Sequence, residues 1–363
     1  MSGEFSFVRE GVEYNYIMRW DGTDWHPLGD GMDGPVHTLR VFDDGLYAAG
    51  WFSFADTVSA NGLARWDGTQ WHSVNDLPPF YIGGGPNLIQ DVIEFQGEIY
   101  VGGNLPLVDD LAKWNGAEWV EVGGGFVSAF SRINHMEVHG DRLYIGGAFA
   151  QCPPLGNDAD PGNGIVAWDG QVWDDLAGGT CGSDNGAIGD FHWWGDTLFA
   201  VGLFNRIGGV EGDRIAKWHD GRWCTLNPPE YWGGNLLAIQ DFRDSLYIGG
   251  SFFTAGADSM SSFVRWIGGS YTYECGIPQA ILDGAASPAL VAFPNPATSL
   301  ITLQGLPPTA TTIALLDLLG RRVLQVSARP TGLNIAPLPS GSYVVQVLDA
   351  HAVPVAIGRF MKL

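Results

Sequence analysis

The chain has no uninterrupted apolar run of about 18 residues, the length a helix needs to cross a bilayer, so no transmembrane helix is expected. Its start, MSGEFSFVRE, lacks the basic opening and apolar stretch of a secretory leader. Basic residues are scarce: 18 Lys and Arg stand against 40 Asp and Glu, a formal charge of -22 that disfavours nucleic acid and anionic membranes as partners. No Gly-x-Ser-x-Gly elbow, phosphate-binding P-loop or His-Glu-x-x-His pattern occurs, which removes familiar signatures of serine hydrolases, nucleotide enzymes and zinc peptidases. Cysteine is limited to four, without Cys-x-x-Cys or zinc-type spacing. An even number suits an oxidising compartment; three pairings are open, and the expected one joins Cys152 to Cys181 and Cys224 to Cys275.

Tryptophan and glycine, by contrast, are plentiful, at 15 and 52 residues. The stretch ARWDGTQWHSV, starting at Ala64, has relatives at Met18 (MRWDGTDWHPL), Ala112 (AKWNGAEWVEV), Val166 (VAWDGQVWDDL), Ala216 (AKWHDGRWCTL) and, in worn form, Val264 (VRWIGGSYTYE). The leading tryptophans are Trp20, Trp66, Trp114, Trp168, Trp218 and Trp266, spaced by 46, 48, 54, 50 and 48 residues. That period is the size of a four-stranded propeller blade. Five residues on come Trp25, Trp71, Trp119, Trp173 and Trp223. The Asp-Gly or Asn-Gly between them is a hairpin signal, since Gly accepts the positive φ of a type I′ turn. A two- or four-residue loop puts both tryptophans on one face, where they can pack against the next blade; a three-residue loop separates them.

Upstream of each hairpin lies a second pair of strands, marked by LYAAG at Leu46, IYVGG at Ile99, LYIGG at Leu143, LFAVG at Leu198 and LYIGG at Leu246. Aliphatic or aromatic residues stand seven and ten positions before each of these. Each repeat therefore carries four strands, passing in the second repeat through Leu39, Tyr47, Trp66 and Trp71. From Val291 to Leu363 the balance changes to two acids and five bases, leaving net -25 on the preceding 290 residues, which argues for two domains.

The order of apolar strand, Tyr-x-Gly-Gly and Trp-flanked turn resembles a kelch-type blade, and closely the IARWDG..W repeats of bacterial secreted propellers and fungal cortical polarity markers. The resemblance covers roughly Met1 to Cys275. It implies an all-β fold: a β-propeller of four-stranded blades, five complete plus a partial N-terminal one, then a linker at 276–290 and a small immunoglobulin-like β-sandwich at 291–363. GEFSF from Gly3 aligns with GWFSF from Gly50, so Met1 is expected at the end of a blade's second strand, in a sequence truncated at its N-terminus. AFPNPATSLITLQG from Ala292, IALLDLLGRRVLQV from Ile313, LPSGSYVVQVLDA from Leu338 and the terminal IGRFMKL are similar to the type A sorting domain of the type IX secretion system. The motif positions are Pro294, Asn295, Pro296, Gly320, Arg321, Gly341, Tyr343 and Lys362. This similarity implies the type IX machinery as partner and a secreted or outer-membrane-surface location, in a Bacteroidetes-type bacterium, with the preceding domain as cargo.

Eleven tryptophans are thereby assigned to the hairpins as scaffold, leaving Trp51, Trp193, Trp194 and Trp232 as candidates for an exposed ligand platform. His135 and His139 mimic a metal pair but lie on a strand, and a polar lining is the preferred reading. An insertion, QCPPLGNDADPGNG, brings Asn157, Asp158, Asp160 and Asn163 onto one Gly-rich loop, a candidate calcium site without the EF-hand pattern; no other cofactor is expected. Asp91, Glu94, Asp190 and Asp241 are expected to face the central channel, where paired carboxylates could hydrolyse glycosides. Since only Trp, Gly and aliphatic residues repeat, the favoured function is a non-catalytic binding or adhesion module for an extracellular glycan or protein. A glycan-active enzyme using the channel carboxylates is the alternative, and a passive spacer the third reading.

Overall fold

The computed structural model describes residues 1–80, 85–126, 131–149, 162–180, 186–212, 214–226, 234–252, 254–255, 258–259, 262–266, 275, 290–308, 310–316, 322–328, 332–348 and 354–363. The described chain is all-β, with no helix. Val36–Phe42, Gly45–Gly50, Leu63–Trp66 and Trp71–Ser73 form one antiparallel sheet in chain order. The next sheet repeats it with Leu88–Phe95, Glu98–Asn104, Leu111–Trp114 and Trp119–Glu121. Two further sets, Arg132–His139 to Trp173–Asp174 and Ala187–Trp194 to Arg222–Thr225, are joined into one eight-stranded sheet by the pairing of Ala148 with Ala187. Three strands of the next repeat are described: Gly234–Asp241, Leu246–Phe252 and Phe263–Trp266. The chain opens on a three-stranded sheet of Ser2–Arg9, Val12–Trp20 and Trp25–Pro27, in which Ser2 pairs with Ile17 as Ala49 pairs with Leu63.

The tryptophan pairs sit directly opposite each other across the outer hairpins, with ring centroids 4.5 to 5.9 Å apart. The turn joining them differs from the type I′ expectation in four repeats. In those, four residues intervene and Asp21, Asp67, Asn115 or Asp169 accepts hydrogen bonds from the amides two and three positions on. Only the following glycine takes positive φ, as at Gly68 (+103°). In Trp-His-Asp-Gly-Arg-Trp the Asp-Gly pair is shifted by one position. There Asp220 (φ 50°) and Gly221 (φ 67°) form a two-residue loop with both φ values positive.

The second tryptophan also ties each sheet to the one before. Trp71, Trp119, Trp173 and Trp223 donate Nε1–H to the carbonyls of Leu28, Asn75, Gly123 and Leu176, 2.8 to 3.2 Å away. The contact thus runs to the preceding repeat rather than the next. The glycines of Tyr-x-Gly-Gly serve the same stacking: a Cβ on Gly102 or Gly146 would come within 2.8 Å of Ile133 or Phe191 on the following sheet. Apolar clusters accordingly lie between successive sheets, one joining Leu63 and Val74 to Ile89, Val92 and Ala112.

Residues 290–363 carry their own core around Ile301, Leu315, Val345 and Phe360. Two sheets enclose it, a three-stranded one (Val291–Phe293, Leu300–Gln304, Leu333–Asn334) and a four-stranded one (Thr312–Leu316, Arg322–Ser327, Gly341–Leu348, Pro354–Lys362). Asn295 accepts a hydrogen bond from the Met361 amide, and Ala297 pairs with Met361 and Leu363, so the Pro-Asn-Pro-Ala motif and the terminal strand are joined.

Cys224, in the outer strand Arg222–Thr225, is disulfide-bonded to Cys275. Cys152 and Cys181 lie outside the described residues. The bond closes a separation of 51 residues, so removing it with Cys224→Ser and Cys275→Ser should lower stability by about 4 kcal/mol through released chain entropy. The unfolding midpoint in urea, compared with the parent chain, checks this.

Candidate functional site

The first strand of every described repeat contains a β-bulge at the same place: Val36/Thr38, Ile89/Asp91, Ile133/His135, Ile188/Asp190 and Leu236/Ala238. A bulge inserts one residue and re-aims its neighbours. In three consecutive repeats the residue after it is Asp91, His135 or Asp190, and these side chains meet in a polar seam.

Asp91 is the centre of the seam and is 1% exposed. Arg40, from the preceding sheet, grips it with Nε at 3.1 Å and Nη2 at 2.8 Å, while Nη2 also donates to the Met136 carbonyl at 3.0 Å. The amides of Val92 and Met136 donate to the two Asp91 oxygens. His135 Nδ1 lies 3.2 Å from Asp91 and 3.6 Å from Asp190, so both carboxylates flank one ring nitrogen. Asp190 accepts from the Phe191 and Ile239 amides, repeating the pattern of Asp91 one gap further on. Next to it His192 links Asp241 (2.7 Å) to Glu137 (3.4 Å).

Three neighbouring repeats are thus bridged at each step, which explains the titration behaviour. Burial opposes ionisation of Asp91, but His135 and Arg40 outweigh it and hold the carboxyl at about 2. Burial likewise opposes a charged His135, yet the bond to Asp91 and the field of Asp190 raise its pKa. Glu137, against burial and aided by Asp241, raises that of His192. Asp190 is pushed upward by burial, against His135 and its two amide donors.

The signs follow by linkage. The histidines contribute stability that is fully present below their ordinary 6.5 and lost as pH rises through the raised folded values. Asp91 contributes above 3.8 and its share is lost as pH falls through about 2. Asp190, favoured protonated, loses its contribution as pH rises through its raised value. The unfolding temperature should therefore decline above about pH 6.5, and His192→Gln should flatten that decline in a calorimetric pH series. A rise across the same interval contradicts the assignment.

Of the candidates read from sequence, the fold brings Asp91 and Asp190 to one imidazole and places Asp241 in the adjoining His192 group. Trp51 and Trp194 are exposed, at 54% and 38%. Trp193 is not an exposed platform: its ring stacks on His139 at 3.9 Å and 6°, and meets Tyr144 edge-on. The two histidines whose spacing mimics a metal pair are separately engaged, one with aspartates and one with Trp193, and no metal-ligand cluster occurs among the described residues. Trp232, Asn157, Asp158, Asp160, Gly320 and Arg321 lie outside the described residues; Asn163, at the end of the insertion, accepts from the Thr180 amide through its own carbonyl. Arg40, Glu137 and His192 were missed. They occupy the position two residues beyond the bulge, on the same strand face as Thr38, His135 and Asp190, and aligning that second column across repeats would have found them.

Residues 291–355 match the family of secretion system C-terminal sorting domains. No curated protein matches the chain. Among solved structures the chain is similar to PorZ, a surface component of the type IX secretion system of Porphyromonas gingivalis, at 12% identity and TM-score 0.38, over 95% of this chain. The chain spans about half the length of PorZ, 55%. It is also similar to the computationally designed Ika8 protein (10%, TM-score 0.37, 99% of this chain and 91% of that one). A third likeness is to the extracellular domain of the one component system BT4673 from B. thetaiotaomicron (11%, TM-score 0.30, 90% and 57%). The chain carries a C-terminal sorting domain of the type IX secretion system and is exported to the cell surface or the extracellular space.

Proposed function

We propose that residues 1–275 are a kelch-like β-propeller of four-stranded blades, delivered through the type IX system, that serves as a non-catalytic module binding an extracellular glycan or protein. The observation that carries this reading is the use made of the inner carboxylates. A glycosidase needs one carboxyl free to protonate a leaving group and a second free to attack or to activate water. Asp91 spends its acceptor positions on Arg40, two amides and His135, and Asp190 on two amides and the same histidine. Those bonds hold neighbouring sheets together, so the acids are parts of the frame. The sequence offers Trp51 and Trp194 as exposed aromatic faces on which a sugar or an apolar side chain can stack.

One observation favours the enzyme reading: burial pushes the Asp190 carboxyl upward, the direction a general acid requires. A glycan array probed with the whole chain, with and without Ca²⁺, tests the binding role. Selective retention of one glycan class, weakened by Trp51→Ala or Trp194→Ala, is the expected result. Retention of none moves the ligand to the protein class or leaves a spacer.

A further inference from the structure

Because the repeats share one register, the contacts across one gap between repeats can be matched with those across the next. His139 and Trp194 close the first strands of their repeats, opposite Arg142 and Thr197. Trp193 and Asp241 correspond in the same way, opposite Leu198 and Leu246, and so do Glu137 and His192, opposite Tyr144 and Phe199. Between the repeats that begin at Arg132 and Ala187, the Trp193 amide donates to Glu137 at 3.3 Å and the His139 ring stacks on the Trp193 ring. Between those that begin at Ala187 and Gly234, His192 holds the place of Glu137 and meets Asp241 at 2.7 Å. Trp194 then holds the place of His139, and a carboxylate stands where that histidine finds its flat partner.

The exchange leaves this gap open. His139 is half-buried, whereas Trp194, with Phe199 beside it at 6.2 Å, is 38% exposed. The Asp241 side chain is likewise 38% exposed. His192 and the Gln240 amide both meet its Oδ1, at 2.7 and 3.3 Å, and among the described residues its Oδ2 has no hydrogen-bond partner. Gln240 is itself exposed. One gap thus carries an uncovered aromatic face, a carboxylate oxygen held in place through its twin, and a side-chain amide. Such a set suits a sugar ring, whose C–H face lies on the aromatic while adjacent hydroxyls donate to the carboxylate and accept from the amide. Glu137 and Asp241 both adjoin the single imidazole, and the chain carries a formal -22, so uronic and sulfated sugars are repelled.

We propose that Trp194, Asp241 and Gln240 form a subsite for a pyranose ring of an uncharged glycan. This rests on the binding role given above and narrows it to one place and one ligand class.

Arrays of neutral, uronate-bearing and sulfated glycans probed with the full chain test it. The expected result is retention of neutral glycans alone. Trp194→Ala and Asp241→Asn should each raise the half-saturating concentration of the best-retained glycan about tenfold. Trp194→Phe, which keeps a ring, should lose less, and Val172→Ala, at an apolar residue exposed elsewhere, should change nothing. Circular dichroism confirms that each variant folds. Neutral glycans held equally well by Trp194→Ala overturn the subsite and leave the binding role standing. So does a preference for uronate or sulfated glycans, or a loss confined to Trp51→Ala. Retention of no glycan by the parent chain overturns the subsite together with the glycan branch of that role.

Discussion

Replacing Arg40 with Ala should lower the unfolding free energy by about 3 kcal/mol, at the lower end of the range for breaking a buried ion pair. Asp91, 1% exposed in the parent chain, would keep its two amide donors and His135 but lose a two-pronged cation. The lower end applies because the Arg40 side chain is itself 30% exposed, so part of its charge interaction is screened in the parent. The loss should also move the acid limb of the stability profile to higher pH, because Arg40 helps hold the Asp91 carboxyl at about 2. Urea unfolding of Arg40→Ala, Asp91→Asn and the double variant measures the coupling: the double should lose less than the two single losses combined. A change below about 1 kcal/mol for Arg40→Ala would mean that the pair is only a surface contact.

A second large effect is expected at Trp223, which is fully buried and bonds the carbonyl of Leu176 in the preceding repeat at 2.8 Å. Trp223→Ala removes a bicyclic ring from the packing between sheets and should reduce stability by about 3–5 kcal/mol. Trp223→Phe keeps most of the apolar volume but leaves the Leu176 carbonyl without its donor, for a loss of about 1–3 kcal/mol. Trp173→Phe removes the corresponding bond to Gly123 at a more exposed site and should lose clearly less. That ordering, read from thermal or urea midpoints, separates the hydrogen bond from simple ring volume. Equal losses at Trp223 and Trp173 would show that the bond contributes little.

Much of this frame was legible because repeats make one sequence serve as its own alignment. The 46-to-54-residue period places the strands, and the five-residue spacing of the tryptophans leads to rings that face each other across the outer hairpin. The Cys224 to Cys275 pairing was likewise readable from their places beside the outer strands. The turns were read less well. A Gly after an Asp suggests positive φ at both, but an Asp that caps the following amides keeps its own φ negative and leaves the left-handed position to Gly. Only the shifted Asp220-Gly221 takes the two-residue form.

The polar seam was half legible. Alternation places Asp91 and Asp190 on the inner strands, but a carboxylate's partner on another repeat is about 50 residues away, as Arg40 is from Asp91, and period-2 reasoning within one strand cannot see it. Trp193 shows the converse error. As a residue outside the hairpin motif it is a candidate for an exposed platform, yet the position it faces, His139, offers a flat ring to stack on. Excess aromatic residues in a stacked-sheet array find cover from neighbouring repeats as readily as from their own.

The central claim is that the inner carboxylates hold the sheets together and carry out no chemistry. Release of reducing ends from a panel of oligosaccharides, measured for the parent chain and for Asp190→Asn, tests it most directly. The account predicts no release above background from either protein, with the variant altered only in unfolding temperature. Reducing ends released by the parent and lost in a folded Asp190→Asn variant would contradict it and assign Asp190 as the general acid of a glycosidase.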